Sequence, residues 1–168
     1  MSYSTETRLK SQSDALLQLL QMLGENPVYM FEFCFRDPPL SDTPKTTIRD
    51  LEEFGYITEG DMFTRCYLAG GGWLKALELS SAIGSPELNE KAGKLSAHLK
   101  GLVKGRREDA YEDYRTVAAE TGLSEGFVWN AIESRLLETL FKQKGAWWER
   151  SDWKTEIQIP LNFGLDLI

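Results

Sequence analysis

Leu9, Leu16, Leu19, Leu20 and Leu23 recur at spacings of three and four, predicting a helix over about residues 5 to 23 that Gly24 stops. Between residues 28 and 36 the period changes to two. Tyr29, Phe31, Phe33 and Phe35 alternate with Met30, Glu32, Cys34 and Arg36, predicting a strand with one aromatic face, ended by Asp37-Pro38-Pro39. Thr43-Pro44 resembles an N-cap followed by proline at the first helical position. Ile48, Leu51 and Phe54 then supply the buried face of a short helix ending at Gly55. Tyr56-Ile57 and the segment from Phe63 to Leu68 read as two strands joined across Glu59-Gly60-Asp61. Gly70-Gly71-Gly72 breaks the chain before a helix from about Trp73 to Ala82.

Glycine, serine and proline at positions 84 to 86 mark a boundary. A lysine-bearing helix over about residues 86 to 104 turns Leu88, Leu95, Leu99 and Leu102 inward. The next helix is expected to begin near Arg107 and to lead into residues 115 to 141, which read as helix, tight turn and longer helix. Ala118 and Ala119 suit a close helix crossing, and Gly122 suits a left-handed turn. Ser124 is a natural N-cap, and Val128, Ala131, Ile132 and Leu136 form the apolar stripe of the second helix. After Phe141 the segment KQKG is a turn. AWWER and WKTEIQIPL then form a hairpin whose second strand places Trp153, Thr155, Ile157 and Ile159 on one face.

The expected fold class is therefore α+β, mostly helical with short antiparallel hairpins. It comprises an N-terminal unit over residues 1 to 84 and a C-terminal unit over 85 to 168. The two are expected to pack as one body through the helices near residues 73 to 107. Each half runs through helices to an aromatic turn and a two-stranded hairpin, a repeat of architecture without convincing residue alignment.

IRDLEEFGYI, a short acidic turn and MFTRCYLAGGGWLKAL resemble the recognition helix, wing and following helix of bacterial winged-helix regulators. AAETGLSEGFVWNAIESRL with the tryptophan-rich hairpin resembles the same architecture, so the likeness covers about two thirds of the chain. It implies two winged-helix-like units and a recognition helix that enters a DNA groove. One departure concerns charge. The helix after Ser124 carries Glu125, Glu133 and Glu138 against Arg135, and Asp50, Glu52 and Glu53 follow Lys45 and Arg49.

Composition narrows the function classes. The 168 residues are 42% hydrophobic and 11% aromatic, as in an ordinary globular chain. No run of about 18 apolar residues predicts a membrane span, and the polar N-terminus does not read as a signal peptide, so a cytoplasmic protein without a membrane partner is expected. Cys34 and Cys66 form no CxxC pair and are expected as reduced, packed thiols. A histidine-based metal centre or a Ser-His-Asp triad would rest on the single His98. Zinc-protease, nucleophile-elbow and dinucleotide motifs are missing, and Gly70-Gly71-Gly72 lacks the lysine of a phosphate loop, so neither catalysis nor a cofactor is expected.

The net charge of −7 opposes general nucleic-acid affinity, but residues 87 to 107 carry +4, leaving −11 for the rest. Lys91 and Lys94, then Lys100, Lys104 and Arg107, form two rows that read as a phosphate-positioning surface or as a solvated helix face. Lys45, Thr46 and Arg49 open the first recognition-like helix, where phosphate or base edges come within reach. On the second such helix Trp129, Asn130, Ser134 and Arg135 are expected to point outward. There Asn130 would bridge adenine and Arg135 would fork onto guanine. Trp147 and Trp148 alternate across a strand, so one at least is expected to be exposed. With Trp129 they make the candidate contact for a protein partner.

The leading expectation is a non-enzymatic DNA-binding transcriptional regulator acting on double-stranded DNA, with a homodimer supplying paired half-sites. The alternative is a protein-protein interaction module that kept the fold without binding DNA.

Overall fold

The computed structural model describes residues 4–61 and 65–167. It is an α+β protein in which helices alternate with two small antiparallel sheets. The chain divides into two compact units, Met1–Ser81 and Ala82–Ile168, three residues ahead of the boundary expected at positions 84 and 85. No helix among the described residues is long and apolar enough to cross a membrane.

Unit 1 begins with α1 (Thr5–Leu23), as the leucine spacing predicts. Ser4 Oγ caps it by accepting from the Thr7 amide at 3.1 Å, and Gly24 ends it at φ +59°. Leu16, Leu19 and Leu23 are buried along one stripe. The strand expected over residues 28 to 36 shrinks to β1 (Glu32–Phe33), preceded by a 3-10 turn over Val28–Met30. The aromatic face is kept only in part: Phe33 and Phe35 are buried with ring centroids 5.3 Å apart, whereas Tyr29 is exposed in the 3-10 turn. The ladder stops because the Asp37 amide turns back to the Cys34 carbonyl, at 3.2 Å, leaving Cys34 beyond the strand.

Next come α2 (Lys45–Glu53), β2 (Ile57–Asp61), β3 (Arg65–Leu68) and α3 (Gly70–Leu79). Pro44, not Thr43, stands at the N-cap of α2, without a side-chain cap. Ile48 and Leu51 are buried, but Phe54 ends the helix 60% exposed and stacks on Tyr56 instead. Glu59-Gly60-Asp61, expected as a turn, belongs to β2, and Phe63 lies outside the described residues. The three glycines form the first turn of α3 rather than a break before it. Gly72 is pressed against the Tyr56 carbonyl, so a side chain there has no room. The sheet order is β1-β3-β2.

Unit 2 runs α4 (Pro86–Val103), β4 (Ala110–Asp113), α5 (Tyr114–Thr121), α6 (Glu125–Ser134), α7 (Leu136–Phe141), β5 (Trp147–Trp148) and β6 (Glu156–Ile159), with sheet order β4-β6-β5. In both sheets the last strand in sequence lies between the other two, so the repeat of architecture is visible in the topology. The helix expected near Arg107 is instead a strand, because Ala110 to Asp113 pair antiparallel with Ile159 to Glu156. Asp113 ends this strand and caps the helix that follows, accepting from the Arg115 amide at 2.8 Å.

The turn between α5 and α6 forms as read. Gly122 is left-handed at φ +74°, and Ser124 Oγ accepts from the Phe127 amide. Ala118 is buried at the crossing, whereas Ala119 faces outward. The longer helix breaks at Arg135, which is left-handed and separates α6 from α7. Trp153 is 67% exposed and precedes β6, so it shares no face with the fully buried Ile157 and Ile159.

Candidate nucleic-acid interface

On α2 the inner and outer faces are cleanly divided. Inward, Thr47 shares a 2.6 Å hydrogen bond with Ser11. Asp50 accepts from Arg8 Nη2 at 2.6 Å, Arg8 Nε at 3.1 Å and Gln12 Nε2 at 3.0 Å. The Arg8 hydrogen bonds hold the Asp50 carboxyl below the usual carboxylate range, against the opposing pull of burial. Outward, Lys45, Thr46 and Arg49 are all exposed, and among the described residues no ion pair binds Lys45 or Arg49. Glu53 is exposed farther along the same helix.

The basic helix α4 splits its charges. Leu88, Ala92, Leu95, Leu99 and Val103 make the buried stripe. At 3.6 residues per turn, Lys91 and Lys94 project on one side of that stripe and Lys100 and Lys104 on the other. The first pair is engaged locally. Lys91 lies over the Phe127 ring, 5.8 Å from its centroid, and Lys94 faces Glu90 at 3.9 Å. His98, on the same side, lies 2.9 Å from a Glu120 carboxylate oxygen but too poorly aligned for a hydrogen bond. The second pair joins Arg106 around an open groove of about 740 Å³ whose floor includes Leu161. Arg107 is exposed just beyond. The basic residues of α4 and its C-terminal end therefore lie on two separate sides of the helix and not on one surface.

The second recognition-like helix departs furthest from expectation. Asn130 is 2% exposed, Trp129 4% and Ser134 9%, so none of them points outward. Seven of the ten residues of α6 are buried, and such a helix has no solvent face from which to read bases. Asn130 on adenine and Trp129 on a partner are both corrected by this burial. Arg135 is exposed, but it sits at the left-handed break and faces Glu138 at 3.9 Å.

The tryptophans divide as strand alternation requires. Trp148 is half-buried against Trp129, with centroids 5.4 Å apart, and donates from Nε1 to Glu133 at 2.7 Å. It is corrected from partner contact to packing. Trp147 is 44% exposed. Its neighbour across the sheet is Tyr111, 50% exposed, since both residues stand opposite Gln158 on the central strand. Tyr111 and Arg8 are the residues that sequence reasoning missed. Reading residues 110 to 113 as a strand would have turned Tyr111 outward, whereas nothing local marks Arg8.

Among the described residues no three histidine, cysteine or acidic side chains gather as a metal site. Cys34 is half-buried and Cys66 is buried. No family model, curated protein or solved structure matches the chain.

Proposed function

We propose that the chain is a winged-helix DNA-binding regulator that reaches DNA through unit 1. The order helix, strand, three helices (the last of only six residues), strand, strand in unit 2 supports this architecture, as does the shared sheet order of the two units. In unit 1, α2 directly precedes the β2 and β3 hairpin, the place of a recognition helix before its wing. One observation carries the proposal: α2 turns Lys45, Thr46 and Arg49 to solvent while Arg8 and Gln12 hold its buried acid, Asp50, inward. With a chain charge of −7 and Glu53 nearby, such contact is confined to this face and falls steeply with salt.

The test is a fluorescence-anisotropy titration of genomic DNA fragments at about 50 mM salt, where phosphate contacts are strongest. Binding that is lost in the Lys45→Glu, Arg49→Glu double variant supports the proposal. Absence of binding at micromolar protein, or indifference to those substitutions, overturns it.

A second reading has its own observation. The buried α6 leaves unit 2 without a reading helix, while Tyr111 and Trp147 place exposed aromatic bulk on its sheet. Unit 2 then serves as a protein-interaction module. DNA affinity that is absent in the full chain, with a partner lost on Trp147→Ser, favours this reading.

A further inference from the structure

The inward face of the β4-β6-β5 sheet is closed by Ala110, Ile157 and Ile159, all buried. Its outward face is open. One row across it is Tyr111, Gln158 and Trp147, in matching register, and both aromatics are half-exposed. Side chains two residues along a strand share a face, so the next row holds Asp113, Glu156 and Glu149. Asp113 stands opposite Glu156, and the Glu149 amide continues the ladder by donating to the Glu156 carbonyl at 2.8 Å. On the far side of the aromatic row lies a fourth acid, Asp109, which accepts from Gln158 Nε2 at 2.9 Å. Carboxylates therefore border the aromatic row on both sides.

The chain itself satisfies only part of this face. Arg115 grips Asp113 with two prongs, Nη2 at 2.8 Å and Nε at 3.0 Å. Glu156 and Glu149 stand side by side and exposed, with no ion pair among the described residues, although Arg150 follows in the next turn. Like charges directly opposite one another destabilise a sheet, so this pair gains from a cation brought by another molecule. The rings divide in the same way. Elsewhere in unit 2 a cation lies over each of Phe127, Tyr114 and Trp129, at 5.8, 5.7 and 5.7 Å from the centroid. Tyr111 and Trp147 carry none among the described residues.

We infer that this face docks an arginine-rich segment of a partner protein. An arginine over Trp147 or Tyr111 is one row, about 7 Å, from a carboxylate, so neighbouring arginines of one segment serve ring and carboxylate together. Arg115 on Asp113 displays the geometry within the chain: the fork that holds one acid of the row is the group that the other two lack. Arginine suits the face better than lysine, since its planar fork matches a carboxylate bidentately and stacks on aromatic rings. The four carboxylates beside the rings oppose a nucleic acid there. The inference rests on the reading of unit 2 as a protein-interaction module, and α2 contributes nothing to it.

The test is the anisotropy of fluorescein-labelled octa-arginine titrated with the full chain at about 150 mM salt, where long-range attraction to the net negative charge is screened. Three double variants accompany wild type. Two alter the face: Tyr111→Ser with Trp147→Ser, and Glu149→Gln with Glu156→Gln. The third, Glu25→Gln with Asp42→Asn in unit 1, controls for charge alone. All six positions are exposed, and circular dichroism melts check that each variant folds. Wild type and control are expected to bind equally, with binding about tenfold weaker in both face variants and about tenfold weaker for octa-lysine. No binding at roughly 100 μM protein, an equal loss in the control, or undiminished binding in either face variant overturns the inference. So does octa-lysine bound as tightly as octa-arginine. A labelled deoxythymidine oligomer that binds wild type but not the aromatic variant overturns it in favour of a stacked nucleic acid. A host protein that the chain retains and Trp147→Ser releases, with octa-arginine unbound, overturns the arginine-rich occupant and leaves the module reading standing. If Trp147→Ser releases nothing, that reading falls as well.

Discussion

Arg8 on α1 and Asp50 on α2 meet in a two-pronged contact, with Nη2 to Oδ1 at 2.6 Å and Nε to Oδ2 at 3.1 Å. The arginine is about half exposed, but the carboxylate is buried and also accepts from buried Gln12. Asp50→Ala is expected to lower stability by about 2 kcal/mol, because it leaves the Gln12 amide unpaired as well as removing charge-assisted bonds. The sign with pH follows from the direction of the shift. A carboxyl held below its unfolded value stabilises the fold above about pH 4, the unfolded value, and loses that contribution as pH falls through the lowered folded value. Urea midpoints of wild type and Asp50→Ala should therefore converge as pH drops below about 4. A gap that persists there would place the effect in packing instead.

Gly72 and Gly71 are adjacent in α3 yet should respond oppositely to alanine. A Cβ on Gly72 would overlap the Tyr56 carbonyl and lie 2.8 Å from Leu68 Cδ1, so both helix and strand would have to move. The expected loss is about 3 kcal/mol. A Cβ on Gly71 finds its nearest neighbour at 3.9 Å, ordinary contact. Gly71→Ala should be neutral or gain about 0.5 kcal/mol through helix propensity. Thermal melts of the two variants decide the matter, and equal effects would contradict the close approach at Gly72.

Local signals made α1 and the α5 to α6 turn legible, because leucine spacing, Gly122 and Ser124 act within a few residues of one another. What escaped was set by distant parts of the chain. β4 owes its existence to β6, 49 positions later in the register of Ala110 with Ile159, and its acid-rich sequence gives no strand signature. Arg8 and Asp50 lie 42 positions apart. Asn130 and Ser134 are polar residues buried on a nearly fully buried helix, so the assumption that polar means outward failed there. The candidate site divides in the same way. Lys45, Thr46 and Arg49 obey helical geometry from their own segment, while the split of the α4 lysines was readable from spacing and was obscured by counting charge alone.

Glu133 ties the tryptophan cluster together. Its Oε2 accepts from Trp148 Nε1 and its Oε1 from Lys154 Nζ, both at 2.7 Å, and Lys154 in turn lies over the Trp129 ring at 5.7 Å. Glu133→Ala is expected to cost about 2 kcal/mol by leaving the half-buried indole N–H without its acceptor. Glu133→Gln should cost less, since the amide oxygen still accepts from Trp148 while the attraction to Lys154 is lost. Denaturant titrations followed by tryptophan emission give both numbers. Equal losses for the two variants would mean that the ion pair, not the indole bond, dominates.

Arg135 holds φ +59° and ψ +41°, a conformation in which a side chain meets its own backbone. Burial explains why the chain turns there. Ile132 and Ser134 before the break, and Leu136 and Leu137 after it, are all buried, and a continuous helix would swing Leu137 away from its present direction. The arginine itself contributes little to the turn. Its contact with Glu138 is 3.9 Å long and its side chain is 72% exposed, so the pair is worth well under 1 kcal/mol. Arg135→Gly relieves about 1 kcal/mol of backbone strain against a smaller cost in unfolded-state entropy, and a net gain of about 0.5 kcal/mol is expected. A raised melting temperature with unchanged DNA affinity would fit a contact made through α2. A loss of DNA affinity on this substitution would return Arg135 to the interface and count against unit 1 as the only DNA-contacting unit.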